Sequence, residues 1–538
     1  MKHTYLLILV FTLAVLLRFI NLSHMPPSLS WDEVSFGYNA WSILKTGKDE
    51  YGTSSPFLFR AFDEYKQPGL VYVTAASEAV FGLNEFAVRF PAALSGVGIV
   101  IYLYLIGKKL INQDFGILFA FLGAINPWLI NFSRQGFEST VSLFFVTSGL
   151  YYLLRFKENR RYVLMSAFLF AVSTYFYHAT RIVTPLILIS FAWVYRNELL
   201  KRKRHVVYGF LTGLMILIPL FLFAFSDRGV SRLGQVLLTD DQVYIGRQET
   251  YARKILEENN SVMSRILYNR RRAFVEAAGI NYYRNIHPDY VFRTGTISAG
   301  LLYQWELPFF LSGLYFLITE KKNWKWVILT WLIVYPLAGA FTKDQPNALR
   351  TLIGAPPLIM TSALGVWFLF TKMKRLRLQL LASGVLAIII VYFSYRFLFN
   401  YFVTAPETRA VDFGDGHKQL AAYLQSEQEN YDMIWVTGDY WRPYIHLLFH
   451  LKYDPAQYHE SGTRDGFGKF RFGNADWDTE GVDLQEVSLD ELAEPDTKTL
   501  FVLSPKEYQH HISTGRAFKT AQSIDGLYAP QVFYAVTL

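Results

Sequence analysis

Long apolar runs recur along most of the chain and limit what it can fold into. About eleven of them are long enough to cross roughly 30 Å of hydrocarbon. They lie near residues 4–20, 86–107, 115–131, 137–155, 162–177, 182–195, 206–225, 305–319, 324–341, 351–370 and 378–398. With 52% hydrophobic and 17% aromatic residues, the chain is too apolar for an ordinary soluble enzyme. The sequence therefore predicts a mainly α, polytopic membrane protein with about eleven transmembrane helices.

The net charge of +8 comes from short basic loops rather than from a nucleic-acid-binding surface. Every second connection between apolar runs is basic, as expected for cytoplasmic loops. These connections are Lys108-Lys109 and residues 155–161, 195–204, 319–325 and 371–377. The first apolar run has a basic start but no small-x-small cleavage site, which favours a retained span. We therefore expect a cytoplasmic N-terminus, an extracytoplasmic C-terminus and no nucleic-acid partner.

We therefore expect the alternate connections to lie on the extracytoplasmic side of the membrane. They comprise residues 21–85, 131–137, 178–181, 226–304, 342–350 and everything after 399. The absence of cysteine excludes disulfides, thiolate metal sites and cysteine nucleophiles. We divide the chain into a membrane module, residues 1–398, with a first outer loop at 21–85 and a long outer loop at 226–304, and an extracytoplasmic domain, residues 399–538.

The C-terminal domain has the composition of a soluble protein. A helix-like GHKQLAAYLQSEQE precedes a strand-like YDMIWVTGD and an amphipathic PYIHLLFHLKYDP. Two further strand-like segments follow, TKTLFVLSP and QVFYAVTL. This alternation predicts a small α/β domain, in which no segment has a catalytic pattern.

The first outer loop carries two acid pairs and a lysine. Asp32 and Glu33 follow the first span, and Asp63, Glu64 and Lys66 precede Pro68. One carboxylate of the first pair is a candidate general base for an acceptor hydroxyl, although early acids also stabilise a helix start. Lys66 is a candidate phosphate ligand. Asp63 and Glu64 are candidates for binding the acceptor or a metal, or for neutralising Lys66.

Further charged side chains from separate loops collect on the same predicted outer face. Arg134 and Arg350 are candidate contacts for a donor phosphate. Glu138, His178 and Arg181 are candidate acceptor or metal contacts. Each of these side chains also has an ordinary interpretation as a surface ion pair, a structural histidine or an interfacial anchor. Their shared face favours a site, whose dependence on a divalent metal stays open.

Several catalytic motifs are missing from the sequence. It contains no GxxxxGK[ST] loop, no GxGxxG opening a βαβ unit, no HExxH and no Gly-x-Ser-x-Gly elbow. Nucleotide-activated donors are generally out of reach outside the cytoplasm. A lipid-borne donor therefore suits an outer active site better.

Five stretches resemble the GT-C membrane glycosyltransferases, in the branch of protein O-mannosyltransferases and the lipid A aminoarabinose transferase. They are SLSWDEVSFGYNAWSILKTGKDEYG, FDEYKQPGLVYVTAASEAVFGLNEFAVRFPAALSGVG, HPDYVF, GLLYQWELPFFLSGLYFL and PNALRTLIGAPPLI. The resemblance spans most of residues 20–370. The WWD signature of oligosaccharyltransferases is absent from the C-terminal domain.

The resemblance implies a GT-C-like fold and transfer of a sugar from a polyprenyl phosphate to a hydroxyl on the outer face. Asp32 matches the catalytic acid of the family's first loop, with Glu33 beside it, and Lys66 matches the residue that contacts the donor phosphate. Arg350 is a further phosphate contact on the same grounds. Glutamine separates Lys66 from Pro68, where relatives have lysine directly before proline.

The same chemistry is expected from the residues themselves. A polyprenyl phosphate is an activated leaving group, so catalysis needs a base, cations for the departing phosphate and an apolar groove for the tail. Direct attack by the acceptor inverts the anomeric centre. The acceptor, whether protein, lipid or glycan, stays open. The alternative function is a transporter or flippase of a lipid-linked or anionic solute, whose outer basic residues would attract the solute. A third function, a scaffold for other membrane proteins, is disfavoured because it does not explain why acids and cations collect on one face.

Overall fold

The computed structural model describes residues 2–62, 64–224, 269–440, 442–473, 482–493 and 495–538. The N-terminal part is almost entirely helical. Its helices are α1 (Lys2–Phe19), α2 (Trp31–Thr46), α3 (Pro68–Phe81), α4 (Glu85–Leu110), α5 (Gln113–Ile125), α6 (Pro127–Ser133), α7 (Glu138–Leu154), α8 (Arg160–Ser173), α9 (Ala179–Val194), α10 (Arg196–Leu200) and α11 (Lys203–Ala224). Between α2 and α3, the short strands β1 (Phe59–Ala61) and β2 (Glu64–Lys66) form an antiparallel hairpin.

The helical part resumes after residue 268. It comprises α12 (Arg270–Ile286), α13 (Leu307–Thr319), α14 (Trp324–Val334), α15 (Leu337–Ala340), α16 (Ala348–Thr351), α17 (Ala355–Lys372), α18 (Leu376–Phe399) and α19 (Ala405–Arg409). One-turn helices lie at Tyr290–Thr294, Gln304–Glu306, Leu352–Gly354, Asn400–Thr404, Val411–Phe413 and Gln428–Asn430. Residues 225–268, which include much of the long outer loop predicted at 226–304, lie outside the described residues, and α12 lies in the described part of that loop.

Four helical segments of the described chain are long and apolar enough to cross a membrane: Glu85–Leu110, Lys203–Leu222, Ala348–Lys372 and Leu376–Arg409. The bent pair α5 and α6 is a fifth if the two helices form one span. Shorter apolar helices lie at His3–Phe19, Ala179–Val194 and Trp324–Ala340. The chain is thus mainly helical with several apolar helices, and the number of eleven spans stays a prediction.

The bend between α5 and α6 has a local cause. Pro127 occupies the first turn of α6, and the side chain of Asn126 accepts a hydrogen bond from Leu129 N at 2.9 Å. Proline at this position and an asparagine cap both favour the start of a new helix. The two helices meet at 57°. The break directs α6 toward the turn that holds Arg134 and Gly136.

The C-terminal part combines helices with a mixed sheet. Its helices are α20 (His417–Glu427), α21 (Pro443–His450), α22 (Pro455–Ser461), α23 (Leu489–Leu492) and α24 (Pro505–Ser513). Its strands are β3 (Met433–Val436), β4 (Gly466–Phe467), β5 (Phe470–Phe472), β6 (Thr499–Leu503), β7 (Thr520–Ile524) and β8 (Phe533–Thr537). The strand order is β4-β5-β3-β6-β8-β7, with β3 parallel to β5 and β6 and the other pairs antiparallel.

The sheet shares its hydrophobic core with the first outer loop. Val34 and Tyr38 of α2 belong to the same buried cluster as Leu420, Ile434 and side chains of β8. Two polar contacts accompany the shared core: Tyr444 OH donates to Glu50 Oε1 at 3.1 Å, and Lys418 Nζ lies 2.6 Å from Glu85 Oε1. The first outer loop is therefore packed between the helical part and the C-terminal sheet.

Three fully buried arginines donate to backbone carbonyls of the helices and of the segment after α1. Arg18 donates to the carbonyls of Ala14, Gly123 and Ala124. Arg134 donates to the carbonyls of Leu17, Ile20 and Met25. Arg89 donates to the carbonyls of Leu22, Pro26 and Ser28. Because a buried carbonyl without a partner is costly, Arg89 and Arg134 stabilise the otherwise irregular segment after α1, whereas Arg18 joins α1 to α5.

Candidate active site

The start of α2 sends its two adjacent acids in different directions. Ser30 caps the helix, and Glu33 Oε2 accepts from Ser30 N at 3.0 Å, which completes a capping box. The capping geometry turns Glu33 inward, where it is fully buried. Asp32, one position earlier, keeps 39% of its side chain exposed. Only Asp32 is therefore open to a substrate.

Glu33, Arg89 and Gly136 form a buried hydrogen-bonded frame, with Glu33 at its centre. Its Oε1 accepts from Arg89 Nε at 2.9 Å and from Gly136 N at 2.8 Å. Both side chains of the Arg89–Glu33 ion pair are 0% exposed. The pair joins α2, α4 and the turn after α6, and every carboxylate oxygen of Glu33 already has a hydrogen-bond partner.

Asp32 forms an ion pair with Lys66. The β1–β2 hairpin ends at Lys66, and the Nζ atom donates to Asp32 Oδ1. The same ammonium lies 4.4 Å from the centroid of the Phe36 ring and 5.5 Å from that of Phe62. Ring faces attract cations, so the two phenylalanines hold the Lys66 head group beside Asp32. The predicted base, Asp32, and the predicted phosphate ligand, Lys66, are therefore in direct contact.

A second polar cluster is connected to Lys66 through the next residue. Gln67 is the N-cap residue of α3, and its Nε2 lies 3.3 Å from His178 Nε2. Arg181 Nη1 lies 3.2 Å from His178 Nδ1, and Arg181 also donates to Gln67 Oε1. His178 and Arg181 come from the start of α9. The fold therefore brings these two predicted site residues to the sequence neighbour of Lys66.

The other predicted site residues occupy different environments. Arg134 is fully buried, donates to three carbonyls and lies 4.8 Å from the Phe402 ring centroid. Arg350, on α16, donates to Lys343 O and lies 3.8 Å from Asp344 Oδ2. Glu138 begins α7 and is half-buried. A phosphate contact by Arg134 would require those carbonyl hydrogen bonds to break.

The structure gives little information about the second acid pair, Asp63 and Glu64. Asp63 lies outside the described residues. The backbone of Glu64 pairs with Ala61 across the hairpin. Among the described residues, no group of three His, Asp or Glu side chains is arranged to hold a metal ion. The roles proposed for this pair stay predictions.

Arg442 is a candidate site residue that the sequence did not reveal. It lies at the start of α21, and its guanidinium stacks 3.6 Å from the centroid of the Phe62 ring, which also contacts Lys66. Both Arg442 and Phe62 adopt left-handed backbone conformations, with φ of 59° and 60°. Such conformations are rare for bulky residues and often mark functional sites. No motif surrounds Arg442, so only the packing of the C-terminal part against the loop identifies it.

Glu50 anchors the loop to the C-terminal part in a buried, polar setting. Its carboxylate accepts from Asn39 Nδ2 at 2.7 Å and from Tyr444 OH at 3.1 Å. Burial raises the pKa of Glu50 to about 7, although these hydrogen bonds oppose the shift. The carboxyl group therefore holds a proton in the folded protein at pH values where the unfolded chain has lost it.

Replacing Glu50 with glutamine is expected to flatten the dependence of stability on pH. The folded pKa is raised, so the folded state binds more protons between pH 4.5 and 7, and stability falls as pH rises through this window. The wild-type protein should lose about 3 kcal/mol between pH 5 and pH 8 from this group. Unfolding of the purified protein at both pH values measures the loss. The exposed Glu429→Gln variant is the control, and an unchanged slope in E50Q would contradict the assignment.

Comparison with known proteins gives a family match and a shared fold. Residues 65–223 match the family model described as dolichyl-phosphate-mannose-protein mannosyltransferase. No curated protein sequence matches the chain significantly. Among solved structures, ArnT from Cupriavidus metallidurans bound to undecaprenyl phosphate has a TM-score of 0.57 and 13% identity, over 98% of this chain and 97% of ArnT.

A second type of solved structure has the same fold. The archaeal oligosaccharyltransferase AglB from Archaeoglobus fulgidus, in complex with an inhibitory peptide and a dolichol-phosphate, has a TM-score of 0.53 and 15% identity. The alignment covers 84% of this chain and 64% of AglB. These matches confirm the resemblance to GT-C glycosyltransferases that the sequence predicts.

Proposed function

We propose that this chain, a membrane glycosyltransferase of the GT-C fold, moves a sugar from a polyprenyl phosphate to an acceptor hydroxyl on the extracytoplasmic face. The observation that carries the proposal is the contact between Asp32 and Lys66 above the buried Glu33–Arg89 frame. A half-exposed carboxylate and a cation in contact provide a base for the acceptor and a ligand for the donor phosphate. The carrier class is supported by the undecaprenyl phosphate and dolichol-phosphate bound to ArnT and AglB.

Lys66 and Asp32 exchange partners when the substrates bind. In the structure, the ammonium of Lys66 pairs with Asp32. A donor phosphate attracts that ammonium through a charge-assisted hydrogen bond, which leaves the carboxylate of Asp32 available to the acceptor.

The transfer is a single displacement. The acceptor oxygen forms a bond to the anomeric carbon while the bond from that carbon to the phosphate oxygen breaks, and the phosphate leaves with the electron pair. Asp32 takes the proton of the acceptor hydroxyl, and Lys66 stabilises the charge that develops on the leaving phosphate. Because the acceptor oxygen attacks the anomeric carbon directly, the anomeric configuration inverts.

Three further predicted residues are assigned to the proposed site. His178 and Arg181 lie next to it through Gln67 and provide polar contacts for the acceptor or the donor. Arg350 provides a further phosphate contact from α16. The basic alternate loops support the proposed orientation, with the N-terminus in the cytoplasm and residues 399–538 forming an outer domain.

A transfer assay with the purified full-length protein tests the proposal. We expect label to move from a radiolabelled polyprenyl-phosphate hexose or pentose to components of a membrane extract, and NMR of the product to show an inverted anomer. Donor binding without transfer from any such carrier would contradict the proposal. Movement of the intact carrier across vesicles, with no sugar released, would favour the alternative of a flippase.

Replacing Arg442 with alanine is expected to raise the KM for the donor about tenfold, because one charge-assisted contact to the phosphate is lost. Its guanidinium shares the Phe62 ring with Lys66, so a phosphate beside Lys66 also lies near Arg442. Initial rates at varied donor and fixed acceptor measure the change. Arg409→Ala, which removes an exposed arginine paired with Asp412, is the control. An unchanged donor KM in R442A would remove Arg442 from the site.

A further inference from the structure

A basic cavity lies where α8 and α11 begin, apart from the site described above. Its volume is about 320 Å³, and it is lined by Arg160, Arg161, Leu164, His205 and Tyr208. Arg160 and Arg161 form the first turn of α8, and His205 lies in the first turn of α11. No residue of the Asp32–Lys66 site lines this cavity.

The two helices run parallel, so their N-terminal ends meet at the cavity. A Cβ atom built on Gly209 would lie 2.8 Å from Val163 Cγ1, and one built on Gly213 would lie 3.9 Å from Ala167 Cβ. The contact advances by four residues on both helices, which only a parallel pair allows. Each helix N-terminus carries a partial positive charge from its aligned backbone dipoles. Two of them directed at one cavity favour an anion.

The charges around the cavity reinforce this preference. Nearby acids already have basic partners: Glu158 lies 2.6 Å from both Lys109 and Arg155, and Glu198 lies 2.9 Å from Lys157. Among the described residues, neither Arg160 nor Arg161 has an ion-pair partner, and both are exposed. Within the described part of the chain, the buried Nδ1 atom of His205 has no hydrogen-bond partner. The cavity therefore offers the cations of Arg160 and Arg161 to a ligand, beside the ring of His205.

The surface beyond the cavity is apolar and exposed. On α11, Tyr208, Leu211 and Met215 follow one another at helical spacing and are 57%, 51% and 76% exposed. On α8, Met165 and Phe168 are each 44% exposed. Because α11 is a candidate membrane span, this apolar surface faces lipid. A ligand bound in the cavity can therefore have an anionic head and a hydrocarbon tail.

We propose that this cavity binds the phosphate of an anionic phospholipid in the predicted cytoplasmic leaflet. Arg160 and Arg161 pair with the phosphodiester, while His205 and Tyr208 contact the head group. The acyl chains lie along the exposed faces of α8 and α11. Basic cavities between transmembrane helices on the cytoplasmic side are suited to such head groups. The inference does not depend on the sugar-transfer reaction.

Lipid binding to the detergent-purified full-length protein tests the inference. The probes are phosphatidylglycerol, phosphatidylcholine and inorganic phosphate, with binding measured by native mass spectrometry and by the shift in Tm. We expect phosphatidylglycerol to bind and to raise Tm. R160Q/R161Q is expected to bind phosphatidylglycerol about thirty-fold more weakly than wild type, whereas R160K/R161K, which keeps both charges, retains binding.

K321A/K322A is the matched control, because it removes two positive charges from another loop on the predicted cytoplasmic face. Its phosphatidylglycerol binding is expected to equal that of the wild type. An equal loss in the control, or equal binding of phosphatidylcholine, would overturn the inference. Saturation by inorganic phosphate alone would identify the cavity as a site for a free anion and overturn the lipid assignment. The Tm without lipid shows whether each variant is folded.

Discussion

Replacing Asp32 with asparagine is expected to lower kcat for sugar transfer about 10²- to 10⁴-fold, which is the usual contribution of a general base. Asparagine has nearly the same shape as aspartate but cannot accept the proton of the acceptor hydroxyl. Because 39% of the Asp32 side chain is exposed, the substitution leaves no buried cavity. The Tm of the variant should therefore stay close to that of the wild type.

Donor binding distinguishes a lost base from a lost binding site. In D32N, Lys66 no longer has an anionic partner at Asp32, while Phe36 and Phe62 still hold its ammonium in place. The variant should bind the polyprenyl-phosphate donor at least as tightly as the wild type. Single-turnover rates with saturating donor measure the chemical step, and a separate binding titration measures affinity.

Asp412→Asn is the matched control for this experiment. Asp412 is an exposed aspartate that also pairs with a cation, Arg409, and this pair includes no residue of the Asp32–Lys66 site. Its replacement is expected to leave kcat unchanged. A D32N variant that keeps the wild-type kcat would show that Asp32 is not the base. A proportional loss of donor binding and kcat would instead assign Asp32 to the donor site.

The sequence identified several residues that the fold brings together, but not the surroundings that hold them. Asp32, Lys66, His178 and Arg181 could be selected because charged residues at the ends of apolar runs are costly and therefore informative. The divergence of Asp32 from Glu33 follows from the geometry of a helix start, where Ser30 and a glutamate three residues later predict a capping box. Local rules of this kind can be read directly from the residues.

The surroundings depend on packing between distant segments, which periodicity does not encode. The hairpin that presents Lys66 has strands of only three residues each, too short for an alternating pattern to reveal. Arg442 reaches the loop because α21 packs against α2, and the single arginine carries no motif. Arg134 was selected by the same sequence pattern, but an arginine at the end of a span can also donate to backbone carbonyls. Arg134 does so in the structure, where its guanidinium bonds to the carbonyls of Leu17 and Ile20.

Breaking the Glu33–Arg89 pair is expected to affect stability rather than chemistry. Glu33→Gln leaves the guanidinium of Arg89 buried without a counter-charge, and removing one partner of a buried ion pair typically costs about 3–5 kcal/mol. Arg89→Met should cost at least as much, because three carbonyls of the segment after α1 also lose their donor. Thermal unfolding of the purified variants measures the loss, and kcat is normalised to the folded fraction.

The E33Q/R89M double variant distinguishes the contribution of the ion pair from that of the other hydrogen bonds made by Glu33 and Arg89. If the charge left behind causes the cost, E33Q and R89M together should destabilise the protein by less than the sum of the two single changes. The folded fraction of E33Q should keep a kcat near that of the wild type, in contrast to D32N. A fully stable E33Q variant with no activity would give Glu33 a part in the chemistry. Since Glu33 is 0% exposed and both its oxygens are occupied, we expect the two neighbouring acids to divide the work, with Asp32 as the base and Glu33 as the support that positions it.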